Sequence, residues 1–296
     1  MNNDAFSKFH PAVNFAFFVI AIVFGVVFQH PAYLAAALVG AGTYYLLLNG
    51  RKGARMLLVM LPLFLFITLI NPVFNTYGEC VLFKIFGKPY TFEALCYGAS
   101  AACMLVVMLL WFGCYNAVMT SDKFWGLFGG VAPSISLLLV MVLRMVPNLF
   151  RKGRQLAGAR RSIGKGSAEG AGKKAKLQDG MLVLGALTSW AFEGGVVTSD
   201  SMRARGFGSG KRSSFSIYRF SLADTVCLAL MIVLAAVVVI SAVGGSVHAE
   251  YTPVFEIAPL SGKYITGFLA YCVFVFMPAV LRIREDIKWH SLRSGI

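Results

Sequence analysis

Apolar residues along the chain gather into six nearly uninterrupted stretches, at residues 12–28, 32–48, 56–74, 94–119, 221–243 and 264–281. A hydrocarbon core about 30 Å thick takes roughly 17–25 apolar residues per helix, so each stretch is expected to cross a membrane. The first two are short and flank Gln29, His30 and Pro31, which predicts a tight hairpin. Between the fourth and fifth stretches the pattern changes. Over residues 120–220 apolar positions recur at helical spacing and alternate with charge, which predicts amphipathic helices. The expected fold is therefore an all-α integral membrane protein with about six transmembrane helices and an amphipathic insertion. It divides into a four-helix part at 1–119, the insertion at 120–220, and a two-helix part with a tail at 221–296.

Within the insertion, Ser121 and Asp122 can cap a short helix through Phe128, ended by Gly129 and Gly130. After Pro133, the positions Leu138, Val142, Met145, Leu149 and Leu156 step by three, four or seven and trace one helical stripe. Arg144, Asn148, Arg151, Lys152 and Gln155 take the other face. Such a helix lies at an interface or buries its stripe against a partner. Residues 164–176 collapse to glycine, alanine, lysine and serine and read as a flexible basic linker. A second helix is expected over residues 178–205, with Val183, Leu187, Trp190 and Ala191 on one face and Gly194 and Gly195 weakening its middle.

Each amphipathic helix ends in a basic triplet: Ala159, Arg160, Arg161 in the first and Ala204, Arg205, Gly206 in the second. Singly, arginine at a helix end suits the C-terminal dipole, and glycine suits the left-handed position beyond it. Two such ends in one membrane protein also fit a pair of docking points. Both readings stay open on spacing alone.

Composition names the solvent. The 296 residues are 58% hydrophobic with a mean hydropathy of +0.72, above the roughly 45–50% apolar content of soluble domains. The net charge of +14 is crowded between Arg144 and Arg219 and beside apolar runs, as positive-inside bias requires. Arg51, Lys52 and Arg55 and the insertion are thus expected in the cytoplasm, together with both termini. The loops at 75–93 and 244–263, with Glu79, Glu93, Glu250 and Glu256, are expected outside. No aromatic-interleaved basic module speaks for nucleic acid. The six cysteines lie scattered in or beside apolar runs, and the four histidines are far apart, so neither a disulfide framework nor a metal site is expected. One apolar run follows directly on another at the N-terminus, against a cleavable signal peptide.

Chemistry is sparse. Around Gly206 to Arg212, Arg212 follows Lys211 where a phosphate loop has serine or threonine, and no strand precedes it, so nucleotide binding is not expected. Polar residues in the apolar stretches are few: Asn14, Asn71, Asn116 and Asp224, the last read as a helix cap. Pro62, Pro72 and Pro278 read as kinks. No catalytic constellation and no cofactor site stand out. A self-contained transporter or channel would need ionisable groups at the midplane, and a membrane enzyme a cluster near one interface.

Thr120, Ser121, Asp122, then Pro133, then Leu143, Arg144, Met145, Val146, Pro147, then Ala159, Arg160, Arg161 resemble the first coupling region of the T components of energy-coupling factor (ECF) transporters. Asp200, Ser201, Met202, Arg203, Ala204, Arg205, Gly206, Phe207, followed by Tyr218 and Asp224, are similar to their second signature, and His10, Pro11 and Asn14 to their N-terminus. Arg161 stands where the family usually has glycine or serine, and Arg203 where it often has an acidic residue. The resemblance implies a bacterial or archaeal plasma-membrane protein without ATPase activity. It would connect two ABC-type ATPase subunits to a substrate-binding membrane subunit, the S component, for vitamin or metal-ion uptake. Arg160 and Arg205 would then dock in the ATPases, while Leu138, Val142, Met145, Leu149, Val183 and Leu187 would form the face for the substrate-binding subunit.

Overall fold

A computed structural model describes residues 6–75, 78, 80–85, 88–128, 133–164, 166, 172–210, 220–247, 249–251, 256–257 and 262–294. Gly129, Gly130, Glu79, Lys211, Arg212, Tyr218 and, within the expected linker, residues 165 and 167–171 lie outside these. The chain divides into two compact units, Met1–Phe124 with Tyr218–Ile296, and Trp125–Ile217.

The first unit holds α1 (Pro11–Val27), α2 (Pro31–Phe74) and α3 (Phe92–Val118), then α7 (Leu222–Ser241), which continues in a wider turn at Ala242–Ser246, and α8 (Gly262–Ser294). α4 (Ser121–Phe128) leads out of it; the second unit contains α5 (Pro133–Ser162) and α6 (Lys173–Ala204). Five helices are long and apolar enough to cross a membrane, namely α2, α3, α6, α7 and α8. α1 is apolar but shorter, at 17 residues. The protein is a multi-pass, helix-dominated membrane protein. Two short hairpins depart from the all-α expectation: β1 (Val81–Ile85) with β2 (Lys88–Thr91), and β3 (Ala249–Glu250) with β4 (Glu256–Ile257). They lie in the two loops expected outside, where backbone that leaves the helices pairs with itself instead.

α2 covers both the second and third expected stretches. Gly50 breaks it with φ 53° and ψ −129°, a conformation that a side chain would strain. Gly53 then packs against the Tyr45 carbonyl and Asn49, so the two arms fold back on each other. Leu34 lies beside Cys103 and Tyr45 beside Gly113, so the first arm runs parallel to α3; Thr68 and Asn71 meet Gly98, so the second runs antiparallel. The aromatic core extends the alternation. Phe24 packs on Tyr271, Phe17 stacks on Phe274 at 5.0 Å, and Lys8 pairs with Glu285, so α1 and α8 are antiparallel. Gly267 at the start of α8 meets Ser241 at the end of α7. Lys8, Gly50, Val118, Ser221 and Glu285 consequently share one end of the bundle.

Lipid tails are as apolar as leucine, so close packing must hold these helices together. Small residues permit it: a Cβ at Gly40 would stand 2.2 Å from Val275 Cγ1, and one at Gly113 2.6 Å from the Tyr45 ring. Trp111, Phe17, Phe18 and Phe274 are fully enclosed, whereas Leu58, Phe66 and Ile240 face outward as lipid-facing residues do. At the opposite end Tyr251 donates to the Gln29 carbonyl at 2.8 Å and accepts from the Ser100 hydroxyl at 2.7 Å. Burial pushes the Tyr251 phenol up, keeping it a neutral donor.

Candidate functional site

The basic triplets and both expected faces lie on α5 and α6. Gly153 approaches Leu187 closely, with a Cβ there 3.2 Å from Leu187 Cδ1. Lys152 sits over the Trp190 ring at 5.6 Å, and Arg160 Nε donates to Asp179 Oδ1 at 2.7 Å. As numbering rises along α5 it falls along α6, so the pair is antiparallel. Between them runs a groove of about 760 Å³ lined by apolar residues, among them Val146, Leu149, Phe150, Leu184, Leu187 and Phe192, together with Arg154 and Thr188.

This arrangement divides the expected faces. Leu149 and Leu187 line the groove, and Met145 and Val183 are also half-buried, so these four serve the helix pair itself at least in part. Leu138 and Val142 remain exposed, at 62% and 45%. Outside the groove stripe the pair also exposes residues the periodicity did not single out, among them Ile135, Leu177, Met181 and Val196. None of α6 is buried, and by length and composition it qualifies as a membrane-crossing helix as well as an amphipathic one.

The two triplets occupy different places at their helix ends. Ala159, Arg160 and Arg161 fall in the last turn of α5, which continues to Ser162 before Gly164 turns left-handed at φ 69°. Arg205 is the cap residue of α6, followed by Gly206 at φ 79°. There Gly206 N–H donates to the Arg203 carbonyl at 2.9 Å and Phe207 N–H to the Met202 carbonyl at 3.0 Å. These are the two bonds of a Schellman cap, and only the αL glycine makes both reachable. Ala159, Arg161, Ala204 and Arg205 are exposed, and Arg160 is half-buried against Asp179.

Asp179 was not singled out in the sequence, although it precedes Val183 and Leu187 at four-residue steps on the same stripe. α6 also starts at Lys173, inside the expected linker, with Gly172 as its cap residue. Lysine and alanine are good helix formers, so once a hydrophobic stripe follows they extend the helix backwards. The helix runs on unbroken through Gly194 and Gly195, where Thr198 bonds back to the Gly194 carbonyl at 2.7 Å.

A second cluster joins the first unit's basic end. Asp224 is 4% exposed and caps α7, as expected; it does so in a box with Ser221, and it also accepts from His10 N–H at 2.8 Å and so ties α7 to α1. Lys123 donates to the Ser7 hydroxyl at 2.7 Å and the Val118 carbonyl at 3.3 Å. His10 and His30 cap α1 and α2 through Nδ1, each accepting from an alanine N–H two residues on at 3.2 Å. The repeated His-Pro-Ala at 10–12 and 30–32 is the signal for these caps, since proline suits the first helical position. Among the described residues no group of three or more histidines, cysteines or carboxylates could hold a metal ion.

No protein-family model matches the chain, and no curated protein matches it.

Proposed function

We propose that the chain is the transmembrane coupling subunit of an ATP-driven importer of the ECF type. In this reading it links two ABC-type ATPase subunits, on the cytoplasmic side, to a substrate-binding membrane subunit for vitamin or metal-ion uptake. The observation that carries it is the α5–α6 pair: two long antiparallel helices with exposed apolar surface, each with arginine in its last turn or at its cap. A chain that hydrolysed ATP or moved ions alone would need other machinery. The buried carboxylates among the described residues, Glu93 and Asp224, sit in the first turns of α3 and α7 rather than at mid-helix.

On this proposal Arg160 and Arg205 each offer a planar fork of donors to a carboxylate groove in an ATPase, and Asp179 orients Arg160 for it. The exposed apolar positions, Leu138 and Val142 among them, give area to the substrate-binding subunit. ATP-driven closure would move the two helix ends relative to each other and tilt that subunit.

The test is co-purification of candidate ATPases and ATP-driven uptake for Arg160→Ala, Arg205→Ala, both together, and Arg151→Ala as an exposed basic control. Losing a desolvated pair costs about 3–5 kcal/mol, against about 0.2–1 kcal/mol for an exposed cation. Each single change should depress uptake more than assembly, and the double change should abolish both. Asp179→Ala separates the roles of Arg160: it removes the internal pair and keeps the guanidinium, so assembly should survive it. A double variant that assembles and transports like Arg151→Ala would refute the proposal.

A further inference from the structure

We infer that the cavity at the basic end of the first unit seats the headgroup of an anionic phospholipid. The inference is independent of the coupling role. The cavity measures about 900 Å³ and lies between the end of the 3-10 turn Phe6–Lys8 with the following Phe9, the first residues of α7 and the last turns of α8. Its walls are of two kinds. Phe9, Leu281 and Ile287 are apolar, while Lys8, Arg284 and Lys288 are cationic.

Its height in the bundle points to lipid. α8 is apolar up to Leu281 and then turns to charge with Arg282, Arg284, Glu285, Asp286 and Lys288, so the cavity straddles the level where hydrocarbon gives way to water. Trp289 lines it and is 51% exposed, as an indole at a headgroup boundary would be. This end also carries Arg51 and Lys52 beside the Gly50 turn, the basic bias of a cytoplasmic face, where the leaflet is anionic.

Three of the four carboxylate oxygens of the cavity are engaged by the protein, and the fourth, Glu285 Oε2, is buried without a hydrogen-bond partner. Glu285 pairs with Lys8, and Asp224 accepts on Oδ1 from His10 N–H and on Oδ2 from Ser221. Arg284 and Lys288 stand four residues apart, one turn of α8, on the same face and exposed. They are the charges placed to meet a phosphate. A free anion has no use for the apolar wall, whereas a phospholipid brings its phosphate together with the first methylenes of its chains.

The experiment uses the full chain reconstituted in phosphatidylcholine vesicles containing a small fraction of brominated lipid, either phosphatidylglycerol or phosphatidylcholine. Bromine quenches a nearby indole, and the signal of Trp289 is the difference between the wild type and Trp289→Phe. Brominated phosphatidylglycerol should quench this signal at a markedly lower fraction than brominated phosphatidylcholine. The paired change Arg284→Gln with Lys288→Gln should erase the preference, each cation being worth about five-fold near the surface. Equal quenching by the two lipids in the wild-type chain, which needs no variant to fold, would overturn the inference. So would a preference that survives the paired change, or one that soluble glycerol phosphate abolishes, since the last would mark a site for a free anion.

Discussion

Replacing Asp224 by alanine should loosen the end of the bundle where α1 and α7 meet, and the cost follows from its hydrogen bonds. The carboxylate is 4% exposed; it accepts from His10 N–H at 2.8 Å, from Ser221 N–H at 2.8 Å and from the Ser221 hydroxyl at 2.7 Å. A hydrogen bond to a charged group contributes about 1.5–3 kcal/mol, and a buried donor left unmade costs about 1–3 kcal/mol. The Ser221 hydroxyl can turn to another acceptor, so the two backbone donors dominate and the loss should be about 3–5 kcal/mol. Ser221→Ala removes one hydroxyl but leaves both backbone donors satisfied by Asp224, and should cost only about 1 kcal/mol. Asp224→Asn should behave more like alanine, because its amide turns a donor toward a donor. Unfolding can be followed in mixed micelles by the reactivity of Cys227, which is buried one turn along α7, in a chain stripped of its other cysteines. Cys227 should become reactive at lower denaturing-detergent fraction in Asp224→Ala than in Ser221→Ala. If the two variants unfold together, or Asp224→Ala lies within about 0.5 kcal/mol of the parent, the carboxylate does not hold the helices.

Two further outcomes test the bundle. Gly40→Ala puts a methyl group where Val275 Cγ1 already stands and should destabilise by about 1–3 kcal/mol; adding Val275→Ala should recover part of that loss, and additive losses would mean the helices do not touch there. Single cysteines replacing the exposed Lys52 and Lys84, which lie toward opposite ends, should respond differently to an impermeant thiol reagent on intact cells: Lys84→Cys reacts and Lys52→Cys does not, and the reverse would invert the orientation.

The fold was largely legible in the sequence because its main determinant is local. A helix that crosses lipid must satisfy its backbone internally and be apolar along its length, so the stretch at 12–28 returns as Pro11–Val27 and that at 94–119 as Phe92–Val118. Caps are local too, and the Asp224 cap and the Gly206 turn stand where side-chain type placed them. Helical periodicity likewise marked one stripe on each of α5 and α6.

What the sequence could not decide is which neighbour each stripe meets. Periodicity says that Leu149 and Leu187 are buried, yet it is the same for a partner protein, a bilayer or a sister helix; the structure turns both into the groove between α5 and α6. Pairings between distant positions are equally silent, because nothing near Arg160 names Asp179, and nothing near His10 names Asp224. Close approach is also read only in three dimensions. Gly40 looks like any small residue in an apolar run until Val275 is packed against it. Composition and period act along one chain segment and set which elements form, whereas contact between segments depends on shape and direction. Only the folded bundle brought Lys8, Arg284 and Lys288 around one cavity.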